Sequence, residues 1–187
     1  MTRRLFMLVA ALVLLPLGAM AQEAAPTPPP DPHTYSDDAM TFIAPAEYRP
    51  MGQRKIPVTE LGDSPQVVAA WILPDGERTK RLLLQQQLFE GPLDNFVSSY
   101  KETLRGAYDN IHIKGDDPIS LKNGMPARYM EGTTGEGFDA TKIFSIVWID
   151  GLRGVALTVI APVGEMDKAT AMKVMSNASA VRYPYRP

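Results

Sequence analysis

Two histidines, His33 and His112, are the side chains best suited to acid–base or metal chemistry, and the sequence contains no cysteine. Nucleophilic relays and zinc sites use His and Cys in groups, because each ligand or proton carrier needs a neighbour within bonding distance. His112 lies between Ile111 and Ile113 in a segment that alternates like a strand, and His33 lies among prolines. We therefore predict that His112 is an ordinary strand residue and that His33 is solvated.

Acidic side chains are the second set that could do chemistry. Asp116 and Asp117 precede a proline, and Glu131, Glu136 and Asp139 follow further along the chain. Carboxylate oxygens are the ligands that Ca²⁺ prefers, but these spacings do not match an EF-hand loop. Asp-Asp-Pro is typical of a turn. The sequence therefore predicts no metal site.

The segment 132–137, Gly-Thr-Thr-Gly-Glu-Gly, has the glycine content of a phosphate-binding loop. It lacks a Gly-Lys-Ser/Thr ending and does not lead from a strand into a helix, so we interpret it as a flexible connection between strands. Ser98 and Ser99 fall in a predicted helix rather than in the Gly-x-Ser-x-Gly turn of a hydrolase nucleophile. We predict no catalytic residue, no cofactor and no enzymatic activity.

The composition is that of a globular protein with a mildly acidic surface. The 187 residues include 19 basic and 21 acidic side chains, which gives a formal net charge of −2. Binding to nucleic acid or anionic lipid requires clustered Lys and Arg, so we expect no nucleic-acid partner. Because cysteine is absent, the sequence also excludes disulfides and a lipid anchor attached to cysteine.

The first 21 residues have the pattern of a cleavable signal peptide. Residues 3–4 are arginines, residues 5–17 are almost entirely apolar, and Ala19-Met20-Ala21 supplies the small-x-small pattern of a cleavage site. The apolar stretch is shorter than the ~20 residues that span a bilayer. We predict cleavage between Ala21 and Gln22, a periplasmic mature protein and no stable membrane anchor afterwards. The arginine pair leaves twin-arginine export open, although we favour the general secretory route.

We predict a linker over residues 22–35 and a single domain over residues 36–187. The linker contains five prolines, each of which fixes φ and removes an amide donor. Residues 92–107 predict a helix with Pro92 in its first turn, because one stripe at helical spacing is apolar: Leu93, Phe96, Val97, Tyr100 and Leu104. A second helix is predicted over residues 165–180.

Strand patterns occur on both sides of the first helix. The segments are 40–44, 66–73, 81–89, 111–114, 119–122, 125–131, 142–149 and 155–160, with a short edge strand at 55–58. Asn123-Gly124 and Asp150-Gly151 predict hairpin turns. Residues 142–149 are apolar on both faces, which predicts a central strand that is covered on both sides, or one with a helix on one side and a packed loop on the other. Runs of strands with few helices predict an α+β fold, with an antiparallel sheet on which the internal and C-terminal helices pack.

Several of these segments resemble the PsbP-like superfamily, which includes the Ran-binding Mog protein and the bacterial DcrB-like envelope proteins. The resemblance lies in residues 40–45 (Met-Thr-Phe-Ile-Ala-Pro), 93–100 (Leu-Asp-Asn-Phe-Val-Ser-Ser-Tyr), 123–129 (Asn-Gly-Met-Pro-Ala-Arg-Tyr) and the strand pair around Asp150-Gly151. It would extend over residues 36–183, and it implies a binding or accessory protein without a shared catalytic residue. DcrB-like proteins often carry a lipid on a cysteine, so the resemblance here implies a soluble periplasmic version.

We therefore expect an exported, non-enzymatic accessory or binding protein of the cell envelope, with an envelope protein or a small ligand as its partner. Two alternatives are a carrier of a small hydrophobic ligand, which would need an enclosed cavity, and a hydrolase that uses carboxylates. Paired acids with a raised pKa in a pocket would favour the hydrolase. An exposed apolar patch without such acids would favour the binding protein.

Overall fold

The computed structural model describes residues 31–75 and 78–181. Within them the chain forms ten strands and two α-helices: β1 Thr34–Ser36, β2 Met40–Ile43, β3 Arg49–Gln53, β4 Gln66–Asp75, β5 Arg78–Leu88, α1 Leu93–Ala107, β6 His112–Ser120, β7 Pro126–Thr134, β8 Thr141–Asp150, β9 Arg153–Pro162, α2 Lys168–Met175 and β10 Ser179–Ala180. Two short 3₁₀ helices, Val58–Glu60 and Gly137–Asp139, lie in the connections.

The described strands form two antiparallel sheets. The large sheet has seven strands in the order β3-β4-β5-β9-β8-β7-β6, and the small sheet has three in the order β1-β2-β10. Hairpins join β4 to β5 and β6 through β9 in succession, whereas β5 and β9 pair although α1 and three strands separate them along the chain. The broad α+β class that the strand pattern predicted is therefore present.

Helix α1 covers one face of the large sheet. Its buried stripe, formed by Phe96, Val97, Tyr100 and Leu104, packs with apolar side chains of β7, β8 and β9. Pro92 precedes the helix as its N-cap instead of lying in the first turn as predicted, and Asp94 places negative charge near the positive end of the helix dipole. Phe96 can lie directly on β9 because residue 154 is glycine, and a Cβ at that position would overlap the Phe96 ring.

The small sheet and α2 contribute to a second apolar cluster, which lies on the opposite face of the large sheet. Its fully buried members include Phe42, Trp71, Trp148, Leu157 and Met175. The Phe42 and Trp71 rings meet edge to face with centroids 5.4 Å apart. Strand β8 lies between the two clusters and is buried from Ile143 to Asp150, so the prediction of a central strand covered on both faces is confirmed.

Strands β3 and β6 are the edges of the large sheet, and both carry features that oppose further pairing. In β3 the register shifts between Pro50 and Gly52, and Pro50 has no amide hydrogen to donate. In β6 the register shifts between Lys114 and Asp117, and Pro118 follows directly. Bulges, prolines and charges on an edge strand disfavour the addition of another chain, so each edge is protected against strand addition.

Near the start of the domain the structure differs from the sequence predictions. Strand β1 begins at Thr34, inside the predicted linker, because it pairs with β2. His33 is half-buried rather than solvated, and its Nδ1 is buried without a hydrogen-bond partner among residues 31–75 and 78–181. The edge strand lies at Arg49–Gln53 instead of 55–58, since these residues pair with the middle of β4.

Later elements also differ from the predictions. Strand β6 is one bulged strand instead of two short ones, and β7 extends to Thr134, into the segment that we predicted as a flexible connection. Helix α2 covers only Lys168–Met175 of the predicted 165–180. The Asp167 side chain caps its start by accepting a hydrogen bond from the Thr170 amide, and Ser179–Ala180 pair with β2 as β10.

The predicted signal peptide and its cleavage site between Ala21 and Gln22 lie outside the described residues, as does most of the predicted linker. The final residues of the predicted domain, 182–187, lie outside them as well. Neither described helix combines the length and the hydrophobicity that crossing a membrane would require.

Candidate functional site

Arg153 is a charged residue in the interior of the fold, at the start of β9. Odd-numbered side chains of β9 face the side of the small sheet, so Arg153 shares that side with buried Val155 and Leu157. The residue is only 3% exposed. Its Nη1 donates to the Ile56 carbonyl at 2.8 Å and to Gln86 Oε1 at 2.9 Å, and its Nη2 donates to Asp38 Oδ1 at 2.7 Å. These bonds satisfy the buried guanidinium, which would otherwise be costly to remove from water.

Asp37 accepts a second set of hydrogen bonds in the turn between β1 and β2. The donors are Gln86 Nε2 and the Tyr35 hydroxyl, each at 2.8 Å, and the amides of Ala39 and Met40 at 2.8 and 2.9 Å. Burial alone raises the pKa of the Asp37 carboxyl, but these bonds outweigh it and hold the pKa below its ordinary value. Asp37 is therefore a fixed carboxylate that accepts hydrogen bonds.

Gln86 connects these two groups. Its side chain is 1% exposed, donates through Nε2 to Asp37 and accepts through Oε1 from Arg153. The network therefore ties the β1–β2 turn of the small sheet to β5 and β9 in the middle of the large sheet. The bond to the Ile56 carbonyl also fixes the connection between β3 and β4.

A groove of about 520 Å³, which we call the Arg153 groove, opens to solvent above this network. The β1–β2 turn forms one wall and the β3–β4 connection forms the other, and its lining residues are Ser36, Asp37, Asp38, Lys55, Ile56, Pro57, Val58, Thr59 and Arg153. Because Arg153 bonds to both walls, the groove is held open without a ligand.

The groove combines charges of both signs with an apolar wall. Lys55 is exposed and forms no ion pair with the described residues. The Asp38 side chain is 52% exposed although it accepts from Arg153. Ile56 and Val58 are half-buried, with Pro57 between them. This arrangement can bind a segment that carries both apolar and charged groups.

A separate polar group lies beneath α1. The Tyr100 hydroxyl is 2.8 Å from Thr158 Oγ1 and 3.4 Å from Ser145 Oγ, and these two hydroxyls are 3.0 Å apart. Burial raises the pKa of Tyr100, so its hydroxyl stays protonated. All three residues are buried within the α1-facing layer, and we assign them a structural role.

The histidine and the acids that the sequence singled out lie apart from the Arg153 groove. His112 is exposed on β6, as an ordinary strand residue would be. Asp116 pairs with Lys101 at 2.9 Å, and Asp117 pairs with Lys168 at 2.7 Å. Within the described residues no group of three or more His, Asp or Glu side chains is placed to hold a metal ion.

The residues of the groove network were missed in the sequence, although one signal was present. Side chains two residues apart on a strand share a face, so Arg153 lies on the same face of β9 as Val155 and Leu157. A charge on this apolar face needs buried hydrogen-bond partners. Its partners Gln86 and Asp37 come from distant segments, and local spacing does not reveal them.

No protein-family model matches this chain, and no curated protein is significantly similar to it. The PsbP-like assignment therefore stays a prediction based on segments such as 93–100 and 123–129.

Proposed function

We propose that this chain is an exported, non-enzymatic accessory or binding protein of the cell envelope, and that it binds an envelope protein through the Arg153 groove. The observation that carries the proposal is Arg153 itself, a buried cation that holds both walls of an open groove in place. A binding site with fixed walls loses little conformational entropy when its partner binds. The signal peptide predicted over residues 1–21 supplies the expectation of a periplasmic location.

The occupant that fits the groove best is an extended protein segment with an acidic residue beside apolar side chains. Lys55 offers a positive charge that no described acid neutralises, and Ile56 and Val58 offer an apolar surface next to it. The acidic residue would pair with Lys55 while its apolar neighbours pack on the wall. Such rim charges mainly steer association and fix the register of the partner.

The two alternatives find less support in this geometry. A carrier of a small hydrophobic ligand would enclose an apolar cavity, whereas the Arg153 groove is open and contains Asp38, Lys55 and Arg153. A hydrolase would need a carboxylic acid with a raised pKa, whereas hydrogen bonds lower the pKa of Asp37. We also propose that the domain has a PsbP-like fold, and the helices on both faces of the antiparallel sheet support this proposal.

The test is affinity capture of the full chain, expressed with its own leader and a C-terminal tag, from an envelope extract. Native mass spectrometry of the eluate would show a stoichiometric protein partner. Lys55→Glu should reduce the captured partner at least about tenfold by reversing the charge at the groove. Lys114→Glu is the matched control, because Lys114 is exposed on β6 and forms no described ion pair. Equal capture by both variants would overturn the proposal, as would a retained small molecule with no protein.

A further inference from the structure

A second concavity of about 230 Å³ lies on the α1-facing side of the large sheet, at the place where α1 ends. We call it the Arg81 pocket. It is lined by Arg81 and Thr79 of β5, Tyr108 directly after α1, Thr134 and Thr141 at the facing ends of β7 and β8, and Ile160 of β9, with two small apolar neighbours of Ile160. Its floor is therefore the middle of the sheet, since β5 and β9 are central strands.

The rim of the Arg81 pocket is fixed by the protein itself. The Thr134 hydroxyl donates to the Asp109 carbonyl at 2.7 Å, and the Thr141 hydroxyl donates to the Asp139 carbonyl at 3.3 Å. Arg81 and Ile160 are register partners across β5 and β9, which places them side by side on the floor. The hydrogen bonds thus fix the rim, and the strand pairing fixes the backbone of the floor.

Three hydrogen-bond donors in the Arg81 pocket have no partner among the described residues: the Arg81 guanidinium, the Tyr108 hydroxyl and the Thr79 hydroxyl. No carboxylate is among its lining residues. By contrast, Arg78, Arg105, Arg128 and Arg153 all form ion pairs. Burial raises the pKa of Tyr108 and the charge of Arg81 only partly opposes this, so the phenol remains a donor at neutral pH.

We propose that the Arg81 pocket binds a small organic carboxylate that carries an apolar body. The carboxylate would accept from Arg81 and the Tyr108 hydroxyl, because a guanidinium forms charge-assisted bonds with carboxylates. The apolar body would lie on Ile160 and the Tyr108 ring. The volume admits one small molecule and is below the range typical of drug-sized ligands. This site is separate from the Arg153 groove and does not depend on the function proposed there.

The test is a calorimetric and amide-shift NMR titration of the mature protein with benzoate. Benzamide, the neutral isostere, and inorganic phosphate serve as comparison probes. We expect benzoate to bind with a Kd of about 1 mM or tighter, Arg81→Gln to weaken binding at least about tenfold, and benzamide to bind far more weakly. Tyr108→Phe should weaken binding about threefold, because one donor is lost.

Arg49→Gln is the matched control, because Arg49 is another exposed arginine without a described ion pair and lies on β3. It should bind benzoate as the parent protein does. The proposal is overturned if benzoate does not bind at about 10 mM, if Arg81→Gln binds it equally, or if phosphate binds more tightly than benzoate. The last result would identify a site for bare anions.

Discussion

At the scale of single residues, Arg153 and Asp37 organise the candidate site. Arg153 is a buried cation and Asp37 is a half-buried carboxylate, and each makes several hydrogen bonds. A buried charge of this kind does little for stability as such, but removing one partner leaves the others unsatisfied. The two residues therefore hold the groove in shape, and changes in them should appear first in stability.

We predict that Arg153→Met lowers the free energy of unfolding by about 3 kcal/mol, because Gln86 Oε1 and the Ile56 carbonyl lose their charged donor. Urea denaturation monitored by circular dichroism measures the change. Arg105→Met is the control, since the Arg105–Glu102 pair is exposed on α1 and should contribute less than about 1 kcal/mol. A loss below about 1 kcal/mol for Arg153→Met would contradict the assigned structural role.

Asp37 predicts a dependence of stability on pH. Because its pKa is lower in the folded protein than the ordinary value of 3.8, its contribution is present above that value and is lost as the pH falls through the folded pKa. The difference in unfolding free energy between the parent protein and Asp37→Asn should thus be constant above about pH 5 and shrink below about pH 4. Asp63→Asn, at an exposed position, is the matched control. A difference that grew toward low pH would refute the assignment.

At the scale of elements, the packing of α1 on the large sheet leaves no room for a side chain at residue 154. A Cβ on residue 154 would overlap the Phe96 ring, with Cζ at 2.7 Å and Cδ2 at 2.8 Å. Gly154 has no left-handed backbone conformation, so the constraint there is space alone. The position of α1 over β9 thus depends on the absence of one methyl group.

We predict that Gly154→Ala destabilises the protein by about 1–3 kcal/mol, because either Phe96 or α1 must move. Gly106→Ala should instead stabilise it by about 0.5–1 kcal/mol, since Gly106 lies in α1 with open space around it. Thermal unfolding of both variants measures whether the two changes in stability have opposite signs. Adding Phe96→Leu to Gly154→Ala should recover part of the loss, and no recovery would argue against the steric cause.

Elements whose apolar residues recur at regular spacing were predictable from the sequence. Elements that are fixed by strands far along the chain were not. The stripe from Phe96 to Leu104 predicted α1, and the apolar faces of β8 predicted its central position. The short strands β1, β3 and β10 depend on partners far along the chain. The Arg153 groove was not predictable for the same reason. Asp37, Gln86 and Arg153 are far apart in the sequence and come together only through the sheet register.

At the scale of the whole molecule, the Arg153 groove and the Arg81 pocket lie on opposite faces of the large sheet. The Arg153 groove lies between the small sheet and the β3–β4 connection, and the Arg81 pocket lies at the end of α1. Both edges of the large sheet are protected by prolines and bulges. Partners are thus expected to use the concavities rather than the sheet edges.

The location of the molecule is itself a testable expectation. Export with cleavage after Ala21 should give a periplasmic protein whose first residue is Gln22. N-terminal sequencing or intact-mass measurement of protein from the periplasmic fraction checks this. Full-length chain in the cytoplasm would contradict the leader assignment and remove the basis for an envelope partner.

Site-specific photo-crosslinking in intact cells tests the central claim most directly. A photoreactive residue at Thr59, exposed at the Arg153 groove, is compared with one at Ser120, exposed at the end of edge strand β6. We predict a discrete crosslinked protein from position 59 that is absent from position 120 and is lost when Lys55→Glu is added. No adduct at position 59, or the same adduct at both positions, would contradict binding of an envelope protein through this groove.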